Sequence, residues 1–424
     1  MFIRRAAAAV LAAAVVASFS DGESSPLTKR AEPAVKSKIR VPAAKYDAVA
    51  FTDLPSWAQD DHLAAFKAFI KSCERVVASA RDKPPDKVPP PSAALVTACA
   101  EGMKAAGQVT SKEAARAFFE RTFTPSAVIN KTRPGMLTGY YEPLLHGSRT
   151  KQGAYVTPIY KRPSDLVTVI PETHRGAVKR GRLTHVRKTE TGTEPYYTRA
   201  QIDQGALKDK GLELLYFKDP IEVFFMQIQG SGRVQLTDGK TIRVQYDGKN
   251  GHPYSSIARY LIEKALLAAD RVSMGTLITW LKADPERAKP VLWYNASYVF
   301  FREIKASDDQ GAPLGAMSVP LTSGRSLAFD PAFHALGTPV YVSAPSMRHV
   351  PNVSGFNRLM IGQDVGSAIK GPERGDIYFG SGEEAGKIAG STKHPAKFYV
   401  LVPNAPVAAK AAAQPGKAAA QTPQ

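Results

Sequence analysis

Cysteine is nearly absent: a chain of 424 residues carries only Cys73 and Cys99. With 25 residues between them and no histidine pair nearby, they lack the spacing of a zinc site. In an oxidising compartment they could join as a disulfide, and two buried thiols are an equal alternative. The eight histidines, His62, His146, His174, His185, His252, His334, His349 and His394, stand singly and form no His-x-x-x-His pair. That argues against a metal site and leaves them surface or structural roles. Acidic residues are scarce as well, 38 Asp and Glu against 56 Lys and Arg, for a formal charge of +18 and a pI near 9.7. Such a balance suits an anionic partner, whether nucleic acid, a lipid surface or a carboxylate-rich polymer. Long apolar runs are missing: Ala6 to Ala17 falls short of the ~20 residues that span a bilayer. No internal repeat is present.

Arg4 and Arg5 precede that apolar run and small residues follow it to Ser20, the pattern of a secretory signal over residues 1–20. The expected product is an exported, periplasmic protein. No cysteine near the end of the signal could take a lipid, so any outer-membrane association needs another device. Export makes nucleic acid a poorer partner than wall or envelope polymers. Residues 21–45 read as a flexible lead-in and 404–424 as a low-complexity tail.

The length is enough for two domains with a cleft between them. "WAQDDHLAAFKAFIKSCERVVASA" spaces Leu63, Phe66, Phe69 and Ile70 as a helix, and "SKEAARAFFERTF" predicts a second whose Ser-x-x-Ala start lacks a full capping box. Between them "DKPPDKVPPPSA" reads as a connector. From about Gly139 the period changes to that of strands. "GRVQLTDGKTIRVQY" is the clearest hairpin, with Asp238-Gly239 as its turn. Helices return at "SSIARYLIEKALLAAD" and "SMGTLITWLKAD", and strands after "WYNASYVFFRE". The order suits a mixed, mainly β fold better than a doubly wound sheet.

Ser231 in "QGSGR" lies in a fragment one residue short of a nucleophile elbow and leads into a hairpin, so a serine hydrolase has little support. A sharper signal is Asp330 in "LAFDPA", Asp364 in "GQDVGSAIKG" and Asp376 in "RGDIYFG". Asp364 follows the apolar "RLMIG" and precedes small residues, as where a strand meets a turn. Backbone N–H groups there would stabilise a carboxylate, and an apolar wall would raise its pKa from about 3.9 toward that of a useful general acid. On spacing alone, a helix cap and a turn residue paired with Arg374 or Lys370 remain the plainer reading.

Six motifs in order make the chain resemble the lytic murein transglycosylase A (MltA) family over about Leu54 to Pro403. They are "TGYYEP" (Thr138 to Pro143), "EPYYTRAQI" (Glu194 to Ile202), "IQGSGRVQL" (Ile228 to Leu236), "NASYVFFRE" (Asn295 to Glu303), "LTSGRSLAFDP" (Leu321 to Pro331) and "QDVGSAIKGPERGDIYFG". The resemblance implies a double-psi β-barrel split over 46–142 and 292–403, a β-rich insert at 143–291, and a glycan groove between them. It implies cleavage of the peptidoglycan bond between N-acetylmuramic acid and N-acetylglucosamine without water, leaving 1,6-anhydro ends. Asp364 stands at the family's acid-then-base position, Asp376 would support it, and Asp330 would support it or organise the barrel. Thr138, Tyr140, Tyr141, Gln229, Ser231 and Gly232 would bind the glycan. Lys161, Arg162, Arg180 and Arg182 could meet acidic stem peptides or form a solvated loop. The implied protein is a monomer with no cofactor or metal; its partners are glycan strands and other wall synthesis or degradation proteins, and no nucleic acid. The rival readings are a wall-binding protein without turnover and an aspartic protease built on "DVGSA", which would need a second such aspartate.

Overall fold

The computed structural model describes residues 45–81, 92–130, 134–170, 182–351 and 355–404. The expected signal, the lead-in up to residue 44, Arg180 and the tail beyond Asn404 lie outside the described residues.

A short strand, β1 (Lys45–Ala48), precedes three helices, α1 (His62–Arg81), α2 (Ala93–Ala105) and α3 (Lys112–Thr122). On α1, Phe66, Phe69, Cys73 and Val76 recur every three or four residues and are all buried, as one face of a helix requires. Ser111 caps α3 by accepting from the Ala114 N–H at 3.1 Å. The sequence reading passes over α2, which Ser92 caps through the Leu95 N–H at 3.2 Å. Phe69, Phe118, Phe119 and Phe123 pack with ring centroids 5.6 to 6.5 Å apart, against Tyr341, Leu359 and Ile361 of the large sheet. Cys73 and Cys99 lie in this core as free thiols.

The chain then forms β2 (Phe123–Ile129) and β3 (Met136–Glu142), and Pro143 alone separates β3 from β4 (Leu144–Ser148), which starts a second sheet. Next come β5 (Thr157–Tyr160), β6 (Leu166–Thr168), β7 (His185–Thr189), β8 (Gly192–Pro195), the single turn α4 (Arg199–Gln201) and β9 (Glu213–Phe217). They are followed by α5 (Pro220–Gln229), β10 (Ser231–Leu236), β11 (Thr241–Lys249), α6 (Ile257–Glu263), α7 (Met274–Lys282), α8 (Pro285–Tyr294) and β12 (Val299–Ile304). The chain returns to the large sheet with β13 (Ser326–Phe329), β14 (Pro339–Ala344), β15 (Phe356–Asp364) and β16 (Arg374–Ser381). It ends in α9 (Glu383–Ser391), β17 (Lys393–Pro395) and β18 (Lys397–Pro403).

Hydrogen bonds order the large sheet β1-β2-β18-β14-β15-β13-β16-β3-β17 and the second β12-β11-β10-β4-β9-β5, with a small β6-β7-β8 sheet beside them. The fold is therefore mixed and mainly β, with a β-rich insertion in the large sheet. Among the described strands no pairing joins β1 to β17, so the barrel implied by the motifs is seen as a ladder of parallel and antiparallel pairs. The hairpin is as expected, with Val234 opposite Ile242 and Gly239 at φ +84° in its turn. β12 lies past residue 291, where the sequence reading ends the insert, yet it pairs with β11 and adds Phe301 to the second sheet's core.

A buried ion pair joins the two sheets. Glu142, the last residue of β3, is fully buried and accepts from Arg243 Nε of β11 at 2.7 Å and from the Ser381 hydroxyl at 2.7 Å.

Candidate active site

A cleft of about 660 Å³ is lined by the large sheet on one side and by β11 and the end of α5 on the other. Strand register sets its acidic wall. Ala328 of β13 lies beside Asp364 of parallel β15 and also beside Asp376 of antiparallel β16, and Asp376 lies beside Thr138 of β3. Strands spaced ~4.8 Å apart put the two aspartate backbones roughly 10 Å apart.

Asp364 ends β15, and its side chain takes up the N–H groups that the strand leaves off. Oδ1 accepts from Val365 N at 2.9 Å and Ala316 N at 3.0 Å, and Oδ2 accepts from the Tyr140 hydroxyl at 2.7 Å. Burial wins over these three donors and pushes the Asp364 carboxyl up to about 6, with a small further push from Asp376. Burial, and then the same carboxylate, raise the Tyr140 hydroxyl well above its usual range, so it donates and does not ionise. Asp376 is raised too, by burial, against Arg374 and the Thr138 hydroxyl, which donates to it at 2.5 Å. Arg374 Nη2 donates in turn to Thr138 Oγ1 at 2.8 Å. The two carboxylates thus hold different donors and do not form the facing pair of an aspartic protease.

The Ala316 donor reaches Asp364 on a segment clamped from the second sheet. The Gln245 side chain accepts from Leu314 N at 3.2 Å and donates to Leu314 O at 3.0 Å. A Cβ at Gly315 would run into the Gln363 carbonyl, so only glycine lets this segment cross the end of β15.

Two-residue periodicity divides the remaining candidates. Tyr140 lines the cleft, whereas Tyr141 points to the other face of β3 and packs against Gly386 of α9. Ser231 lines the cleft, whereas Gly232 faces α5, where a Cβ would stand 2.5 Å from the Met226 sulfur. Gln229 lines the cleft, and its Oε1 accepts from Tyr141 N at 3.0 Å. Thr138 sits behind Asp376 and is not itself part of the lining. Asp330 is 1% exposed and outside the cleft: it accepts from Ala332 N at 3.2 Å and Gly371 N at 2.9 Å, with Lys370 Nζ at 3.8 Å. Its geometry is that of a loop organiser. Arg162 is spent on the Asp247 and Leu166 carbonyls, and Lys161 and Arg182 are exposed outside the cleft.

Sequence reasoning missed Gln245 and Lys249 on β11; Lys249 is 4% exposed and donates from Nζ to Ser367 Oγ at 3.0 Å. Their signal was present, since Arg243, Gln245, Asp247 and Lys249 recur at period two. Among the described residues no cluster of three or more His, Cys, Asp and Glu could hold a metal ion, and no helix is long and apolar enough to cross a membrane.

Comparison with known proteins places this geometry. Residues 136–302 match the MltA specific insert domain and residues 325–402 the 3D domain. A membrane-bound lytic murein transglycosylase A of Escherichia coli K12 is 35% identical over 269 residues, 62% of this chain and 64% of that protein, so the match spans less than two thirds of this relative. A membrane-bound lytic murein transglycosylase of Agrobacterium tumefaciens is 36% identical with a TM-score of 0.74, over 85% of this chain and 98% of that structure. Escherichia coli MltA with bound chitohexaose is 26% identical with a TM-score of 0.58, over 85% of this chain and 92% of that structure. With an insert domain, a three-aspartate module and a cleft between two sheets, the chain belongs to the MltA family.

Proposed function

We propose that the chain is a peptidoglycan lytic transglycosylase that works in the periplasm, with Asp364 as its acid and then its base. The observation that carries the reading is one carboxyl near pKa 6, held by a phenol and two backbone N–H groups at the wall of a cleft. Asp364 donates its proton to the glycosidic oxygen as the bond to the muramic-acid anomeric carbon breaks. It then takes the proton of the C6 hydroxyl, whose oxygen attacks the same carbon and closes the 1,6-anhydro ring. Protons balance within the sugar and one carboxyl, so no water and no second carboxylate is consumed. Tyr140, Gln229 and Ser231 are the glycan-side groups, and Asp376 is the second carboxyl on the same wall, in place to support the developing oxocarbenium ion. The bound chitohexaose of the Escherichia coli relative supports a β-1,4-linked glycan in this cleft. The domain bounds proposed are a barrel over 46–142 and 305–403 around an insert at 143–304, since β12 pairs within the second sheet.

Incubation with purified sacculi and mass analysis of the fragments tests this. Anhydro-muropeptides are the expected product. Reducing-end sugars would mean hydrolysis, and intact sacculi that retain the protein would mean binding alone.

A further inference from the structure

A second cavity, of about 810 Å³, lies within the inserted part and shares Arg199 and Gln227 with the cleft. Arg199 is 4% exposed and stands in the wall between the two spaces. Its Nε donates to Asn295 O at 3.2 Å and its Nη2 to Ser297 O at 2.8 Å. The guanidinium lies between the rings of Phe224 and Tyr298, at 4.6 and 5.2 Å from their centroids. Nη1 makes no hydrogen bond, and no carboxylate lies within ion-pair reach, among the described residues. Asp203 is the acidic group that acts on the guanidinium, from beyond ion-pair distance, and a buried cation held by carbonyls and rings with only that distant partner is costly to keep and well suited to capture an anion.

The rest of the cavity has the charge pattern of a peptide site. Lys151, Lys208 and Lys218 stand at its rim, are exposed, and form no ion pair among the described residues. Asp203, Asp209 and Glu213 supply acceptors for an ammonium, and Tyr216 and Trp293 supply apolar wall. The volume lies within the range of small-ligand sites and fits a few residues of chain.

We propose that this cavity receives the acidic peptide carried on the lactyl group of muramic acid, with a free carboxylate of that peptide on Arg199. This rests on the reading of the cleft as a peptidoglycan site. Arg199 would then be a specificity-determining residue, and Lys208 and Lys218 would steer the peptide in.

The direct test is calorimetric titration of the full chain with free stem tripeptide, which needs no turnover. Saturable binding that Arg199→Met weakens at least tenfold is expected, as is a smaller loss in the exposed double variant Lys208→Gln/Lys218→Gln. Circular dichroism shows whether each variant is folded. The second readout is the ratio of kcat/KM for peptide-bearing over peptide-free glycan strands. That ratio should exceed about ten in the wild type, fall toward one in Arg199→Met and fall part of the way in the double variant. No binding of the tripeptide, or binding and a ratio that survive in both folded variants, overturns the proposal. Absence of anhydro ends from either strand type is a separate result, against the transglycosylase reading, and leaves the titration to judge the cavity.

Discussion

The Tyr140 hydroxyl stands 2.7 Å from Asp364 Oδ2, and strand order brings the two together across 224 positions of sequence. β3 and β15 do not touch in the ladder; β16 and β13 lie between them. The hydrogen bond favours the charged carboxylate and so opposes the burial that makes Asp364 an acid. Tyr140→Phe should therefore raise the Asp364 pKa by about one unit, since a hydrogen bond to a charged group is worth about 1.5 to 3 kcal/mol. The alkaline limb of the pH–rate profile would move up with it. An unmoved limb would mean that the phenol does not tune this carboxyl.

Asp364→Asn should abolish turnover and at the same time stabilise the protein. The folded pKa of about 6 exceeds the ordinary 3.8, so the folded state binds more protons than the unfolded between these values. The penalty is absent below pH 3.8, grows as pH rises, and is complete above about 6, where two units correspond to about 3 kcal/mol. Urea unfolding at pH 7 should show the variant about 1 to 3 kcal/mol more stable, a gain that shrinks at pH 4. A loss of stability at pH 7 would contradict the burial argument.

Glu142→Ala leaves Arg243 buried without its main carboxylate at the junction of the sheets. Breaking one side of a buried pair costs about 3 to 5 kcal/mol. Thermal melts should show a large loss, and the cleft, formed by both sheets, should lose activity with it. A change under 1 kcal/mol would mean that the remaining Asp309 contact suffices.

Asp330→Ala removes the acceptor for two backbone N–H groups, Ala332 and Gly371. Stability should fall by about 2 to 4 kcal/mol, while the folded fraction keeps its turnover far better than Asp364→Asn does. Turnover lost with no change in stability would instead make Asp330 a direct participant.

Much of this was legible in the sequence. Asp364 at a strand end among small residues, the Asp238-Gly239 hairpin, and the phenylalanine face of α1 all follow from local pattern and turn chemistry. What escaped was set by long-range packing. α2 is alanine-rich with little contrast between its faces, α5 lies in the region whose period reads as strand, and α8 carries Pro290 inside it, which breaks the helical pattern. Tyr141 and Gly232 came with their motifs, and only the pleat shows that each faces away from the cleft. The polar side of β11 gave no sign of the cleft, because alternation along a hairpin cannot say that the large sheet faces it.

The row Thr138, Asp376, Ala328, Asp364 joins residues up to 238 positions apart through two parallel pairings. Such contacts raise the contact order, which slows folding. No nascent or clipped fragment ending before β16 can contain the row, however well its helices and insert have folded. A site built from both ends of the fold is one that no partial chain can carry.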